Sequence, residues 1–133
     1  ALSHELQVDG ITRFEGHRDD MTGILAGLDM LLLTSDHEGL PMVLLEAMAA
    51  ETPVIAHAVG GIPTLLDNGR CGVLVHEQTP AAFADGIRKL AAAPEQRELL
   101  ARNALDRVTN KYSSRSNAGQ YIAAYRELLD NNE

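Results

Sequence analysis

Short apolar runs alternate with longer stretches of helical periodicity along this 133-residue chain, and that alternation restricts the fold more than any other feature. Asp29-Met30-Leu31-Leu32-Leu33-Thr34 is a continuous apolar run bounded by polar residues. A run of that kind fits a fully buried strand in a parallel sheet covered on both faces. Residues 11–15, 53–56 and 71–75 read as three further strands. Between them, Asp19 and Asp20 stand where they can cap a helix reaching about Leu28, with Met21, Ile24, Leu25 and Leu28 at helical spacing. Pro41 opens a helix to about Ala50. Residues 62–67 form a short helix closed by Asn68-Gly69. After the last strand only helices follow, starting near Pro80, near Pro94 and around 113–116, the last covering about 113–131. Strands separated by helices build βαβ units. The expected fold is α/β, with a parallel sheet of about four strands flanked by helices and a helical C-terminus.

Composition narrows the function classes. The length fits one domain, and 45% hydrophobic with 23% charged residues is the profile of a globular one. With no Trp, the core must come from Leu, Val, Ile, Ala and Met. The net charge of -8 has the wrong sign for a duplex-binding domain, so nucleic acid is not an expected partner. It also disfavours docking of the whole surface on anionic lipid. Cys71 is the single cysteine, which rules out an intrachain disulfide and fits a reducing compartment. The apolar runs are too short to span a bilayer, and no signal peptide pattern opens the chain. The expected location is cytoplasmic, with peripheral contact at the inner face of the membrane left open. The chain opens at Ala1 in what reads as the tail of a helix, and a piece of a longer protein is the expectation.

In open parallel sheets, ligands bind outside the carboxyl ends of the strands. Here those ends lead into the loops 15–18, 35–40, 57–61 and 76–79. The second loop is the most informative. Pro41 at the first helical position puts Leu40 at the N-cap, and Leu has no oxygen to accept from the free N–H groups. Gly39 lets a backbone approach closely. The helix start is then an uncapped, partly positive end suited to a phosphate, unless Ser35 or Asp36 folds back to cap it. Glu46 is the only charged residue between Pro41 and Ala50. Its neighbours Met42, Val43, Leu44, Leu45, Ala47 and Met48 are apolar on nearly every face, the pattern of a buried helix. A carboxylate there needs a partner or a ligand cleft, and a ribose diol can donate twice to it. The alternative is a Glu on a narrow solvent stripe. Glu38 precedes the helix in the loop, where it can meet another part of the same ligand or simply be solvated.

The five histidines show no metal spacing and read as structural or loop residues, with His37 and His57 at the cleft rim. There is no P-loop, no G-x-G-x-x-G and no G-x-S-x-G. A receiver domain would need a Lys after the last strand, where His76-Glu77 stands. A glycoside hydrolase pairing Glu38 with Glu46 would place one of its carboxylates badly, inside a helix. A non-catalytic nucleotide-binding α/β module remains open.

Several motifs in order carry a family resemblance. The segment 35–49, with Glu38 and Glu46 in an E-x7-E pattern, resembles the signature of family 4 glycosyltransferases, which have the GT-B fold. Thr52-Pro53-Val54-Ile55-Ala56, Val59-Gly60-Gly61-Ile62-Pro63, Asn68-Gly69 and Gly72-Val73-Leu74-Val75 follow at the usual distances. Upstream, Phe14-Glu15-Gly16-His17-Arg18-Asp19-Asp20 is similar to the family's F-x-G-x-x-D-D. The resemblance covers about Leu6 to the C-terminus and implies a partial Rossmann-like donor domain over 1–133.

That resemblance implies a retaining transfer from a nucleoside-diphosphate sugar, a substrate rather than a cofactor, to an unspecified saccharide or lipid-linked acceptor. Glu38 would contact the donor sugar as the catalytic-site residue, orienting rather than attacking. The stretch Gly39, Leu40, Pro41, Met42 and Val43 would meet the sugar and diphosphate through its backbone. Glu46 would hold the ribose, and Gly60 and Gly61 complete the substrate-binding set. The family implies no metal held by a D-x-D motif, and the sequence contains no such motif.

Two departures stand out. Pro41 replaces a Gly found in many members. Two donor-domain strands, a diphosphate-clamping loop and the N-terminal acceptor domain have no counterpart here. In the family's sheet order those strands separate the 11–15 strand from the Met30 strand, leaving a sheet edge unpaired. Weak stability, a homodimer through that edge or a rearrangement is therefore expected. Tyr121, Ile122, Tyr125 and Leu128 share one face of the last helix. It resembles the helix that crosses back to the N-terminal domain; packing on its own domain is the alternative.

Overall fold

A computed structural model describes residues 2–130. Three strands, β1 (Leu31–Leu33), β2 (Val54–His57) and β3 (Val73–Val75), form a parallel sheet in that order. Leu31, Leu32 and Leu33 lie opposite Val54, Ile55 and Ala56, and Ile55, Ala56 and His57 lie opposite Val73, Leu74 and Val75. The helices are α1 (Leu2–Glu5), α2 (Met21–Ala26), α3 (Met42–Ala49), α4 (Ile62–Leu65), α5 (Pro80–Ala91), α6 (Pro94–Arg107) and α7 (Ser114–Asp130). A π-helical turn, Val108–Tyr112, joins the last two.

Side chains alternate across a strand, and β2 feeds a core on each face. Val54 and Ala56 pack with Leu44, Ala47 and Met48 of α3, Ile62 and Leu65 of α4, and Ala104 of α6. Ile55 packs with Val75, with Phe83 and Leu90 of α5, and with Leu100 of α6. All three apolar residues of β2 are fully buried, as the apolar run predicts for the middle strand of a covered sheet. Thr52, buried just before β2, donates its hydroxyl to the Leu25 carbonyl at 2.7 Å and so ties α2 to the sheet.

Four expectations need correction. The sheet has three strands, not four: residues 11–15 are turn and coil, and Ile11 and Phe14 are 89% and 81% exposed. A strand needs a neighbour to bond to, and among the described residues no strand pairs with this stretch. β1 is only partly buried for the same reason, with its outer edge open and Leu32 exposed. Pro41 is the N-cap of α3 rather than its first residue, because its backbone is extended (φ -71°, ψ 118°) and its carbonyl receives the Leu44 N–H. Asp20 occupies the N-cap of α2 but caps nothing with its side chain, since Arg18 holds both carboxylate oxygens at 3.0 Å. Residue 131, placed in the last helix, lies outside the described residues. No residue of α7 is buried, and Tyr121, Ile122 and Tyr125 face solvent rather than their own domain. Among the described residues no helix is long and apolar enough to cross a membrane.

Candidate functional site

The three strands end on the same side of the sheet, and their loops are bonded to one another. The His57 ring Nδ1, at the end of β2, lies 2.9 Å from the Ser35 carbonyl in the loop after β1. Gln78, in the loop after β3, donates to the Thr34 carbonyl at 3.2 Å and to the Asp36 carboxylate. The Ala58 N–H reaches the Val75 carbonyl at 2.8 Å. The Gly61 N–H reaches the Gly39 carbonyl at 3.0 Å.

The contact between the second and first loops is backbone against backbone. Gly60 has φ +55°, a conformation L side chains rarely adopt. A Cβ on Gly60 would run into the Glu38 carbonyl, and one on Gly61 into the Gly39 carbonyl. Two successive glycines are therefore required where the 58–61 turn presses on the Glu38-Gly39 stretch.

This fixes the front of α3. The helix has no side-chain cap. Ser35 does not fold back onto it, and Asp36 is engaged by Gln78. The Met42 and Val43 N–H groups have no partner among the described residues, as first-turn amides lack one within the helix. Aligned peptide dipoles make such an end partly positive. Leu40 and Met42 stand exposed beside it, while Pro41 is buried.

Glu46 does not sit as expected. α3 buries Leu44, Ala47 and Met48, but Met42, Glu46 and Ala49 form an exposed stripe at helical spacing. Eight residues of nearly uniform apolarity do not reveal that one side lacks a neighbour. Burial therefore places no demand on this carboxylate. What remains is its position, one turn behind Met42 on the open side. Glu38 is half-buried in the loop ahead. Neither carboxylate has a hydrogen-bond or ion-pair partner among the described residues.

The loop 15–18 follows no strand and stands apart from this cluster. Arg18 bridges Glu15 and Asp20 there, and its guanidinium holds the Asp20 carboxyl below the usual carboxylate range. His57 lies at the rim where the sequence puts it, but its bond to Ser35 and the part of Gln78 were not foreseen, their only signal being a polar side chain just after an apolar run. Among the described residues no three His, Cys, Asp or Glu side chains are grouped to hold a metal ion. An open cavity of about 400 Å³ borders the helix front, between Leu40, Met42 and Leu45 on one side and Lys111, Tyr112, Asn117 and Gln120 on the other. Another, of about 390 Å³, includes Asp29, Pro53 and Arg97 at the opposite end of the strands.

Residues 1–93 match the family described as Glycosyl transferases group 1. The D-inositol 3-phosphate glycosyltransferase of Saccharomonospora viridis is 33% identical over 131 residues, covering 96% of this chain and 30% of that protein. Among solved structures, sucrose-phosphate synthase from Thermosynechococcus elongatus superposes with a TM-score of 0.88 at 30% identity, over 98% of this chain and 33% of that one. HepE of Anabaena, solved in complex with UDP, superposes with a TM-score of 0.83 at 25% identity, over 94% and 34%. The chain thus spans about a third of the length of such relatives. Taken with the parallel sheet and the ordered motifs, these matches show that the chain belongs to the group 1 glycosyltransferases, enzymes of the GT-B fold.

Proposed function

We propose that this chain is the donor-binding part of a retaining glycosyltransferase, holding a nucleoside-diphosphate sugar for transfer to an acceptor bound by the rest of the protein. The observation that carries the reading is the pair of unpartnered carboxylates, Glu38 and Glu46, placed before and behind an uncapped helix front. The diphosphate lies against the Met42 and Val43 N–H groups, where the helix dipole favours negative charge. Glu46 accepts from the ribose hydroxyls, and Glu38 from hydroxyls of the sugar. The Gly60-Gly61 turn holds the loop backbone between them. The UDP bound to HepE supports a nucleoside diphosphate as the leaving group.

In the transfer, the bond from the anomeric carbon to the diphosphate oxygen breaks, the acceptor hydroxyl oxygen bonds to the same face, and the hydroxyl proton passes to the departing diphosphate oxygen. The departing diphosphate gains negative charge, which the helix-front amides stabilise without reorganising. The sugar gains positive charge, and the Glu38 carboxylate orients it rather than attacking it. Positioning and electrostatics thus supply the catalysis.

A calorimetric panel of UDP-, GDP- and ADP-sugars on a full-length protein carrying this chain tests the reading, together with transfer assays. Glu46→Ala should weaken every nucleotide that binds by about tenfold, the loss of a charge-assisted hydrogen bond. Glu38→Ala should cut turnover with little change in affinity. Equal small effects from both would remove the basis of the reading. Binding without transfer in the wild type would instead favour a non-catalytic nucleotide module.

A further inference from the structure

We propose that His57 is a positioning residue for the donor loop. Its ring holds the Ser35 carbonyl and thereby sets where Glu38 stands against the sugar. The inference rests on the donor-site reading above and adds a residue outside the E-x7-E signature.

His57 ends the central strand, the most buried element of the fold, so its backbone is a fixed reference. The ring packs edge-on against Phe83 of α5, with centroids 6.5 Å apart and planes at 66°. That contact restricts the ring before any hydrogen bond forms. Nδ1 then meets the Ser35 carbonyl at 2.9 Å. A carbonyl only accepts, so Nδ1 carries the hydrogen. Ser35 is three residues before Glu38, and Gly39, just beyond it, is held by Gly61. The Glu38 segment is thus pinned at both ends, by a side chain at Ser35 and by backbone at Gly39. Gln78 pins the same start from β3, through Thr34 and Asp36. That contact is exposed, whereas the His57 contact is partly buried. Water competes less for the His57 bond, and its loss leaves the Ser35 carbonyl harder to satisfy.

The test compares His57→Ala with His57→Asn in the full-length protein. Both variants lose the ring contact with Phe83. Only Asn keeps an N–H donor at the δ position. The measurements are amide hydrogen exchange over residues 35–40 without ligand, kcat with the donor sugar, and the Kd of whichever of UDP, GDP and ADP the wild type binds. His57→Ala should speed exchange across 35–40 and lower kcat about fivefold to tenfold, the scale of one lost hydrogen bond. Its Kd should stay within about twofold, because Glu46 and the helix front are not moved. His57→Asn should recover most of both losses. If His57→Ala exchanges and turns over like the wild type, or if His57→Asn is as impaired as His57→Ala, the proposal is overturned. A wild type that binds none of the three nucleotides overturns the donor-site reading instead, and the exchange comparison still decides whether His57 anchors the loop.

Discussion

Gly60 is the residue on which the site's geometry turns most sharply. A methyl group there meets the Glu38 carbonyl, and φ +55° already disfavours any other residue. Gly60→Ala should cost on the order of 2–4 kcal/mol, combining a left-handed backbone with a clash against main chain. The check is a thermal melt alongside calorimetry, with the variant losing nucleotide affinity even at temperatures where it is folded. A variant as stable as the wild type would mean that the two loops do not press together as described. Glu46 teaches a different lesson. Its isolation in an apolar helix was legible in the sequence, but burial was the wrong inference from it. Whether a helix face is covered depends on neighbours far away in the chain or outside it, and eight letters cannot report them. The two glycines were legible as part of a strand-end loop. That they press on Glu38 and Gly39 was not, because the contact joins different strand ends.

At the scale of elements, the three strands and the helices at Pro80 and Pro94 follow from apolar runs and from proline at first-turn positions. The 11–15 stretch has suitable residues but no ladder partner among the described residues, and pattern alone cannot distinguish those cases. The short helix α4 illustrates what propensity leaves out. Four residues do not hold a helix by themselves. Arg107 of α6 supplies the missing support, donating to the Leu65 carbonyl at 2.7 Å and the Thr64 carbonyl at 2.6 Å while pairing with Asp67 at 3.2 Å. Its side chain is only 11% exposed, and its bond to the Leu65 carbonyl is partly buried, while that to Thr64 is exposed. Arg107→Ala should destabilise the fold by about 2–3 kcal/mol, through lost charge-assisted bonds and stranded carbonyls. Arg107→Lys should recover little, because an ammonium cannot fork between three acceptors as a guanidinium does. Denaturant melts of the pair decide this, and full rescue by Lys would reduce the role of Arg107 to its charge.

At the scale of the whole molecule, the open features lie where the family resemblance places missing parts. Among the described residues the outer edge of β1 is unpaired, Leu32 is exposed, and α7 turns Tyr121 and Tyr125 to solvent. A protein about three times as long has chain to cover such surfaces. The strand-end loops need no such help to hold their shape, since they are bonded to one another within this chain. Whether these loops take a nucleoside diphosphate is decided by a crystal structure of the full-length protein soaked with the nucleotide that binds best by calorimetry. Density for the phosphates is expected within hydrogen-bonding distance of the Met42 and Val43 amides, with the ribose at Glu46. Nucleotide density elsewhere, for instance in the cavity between Asp29, Pro53 and Arg97, would contradict this placement.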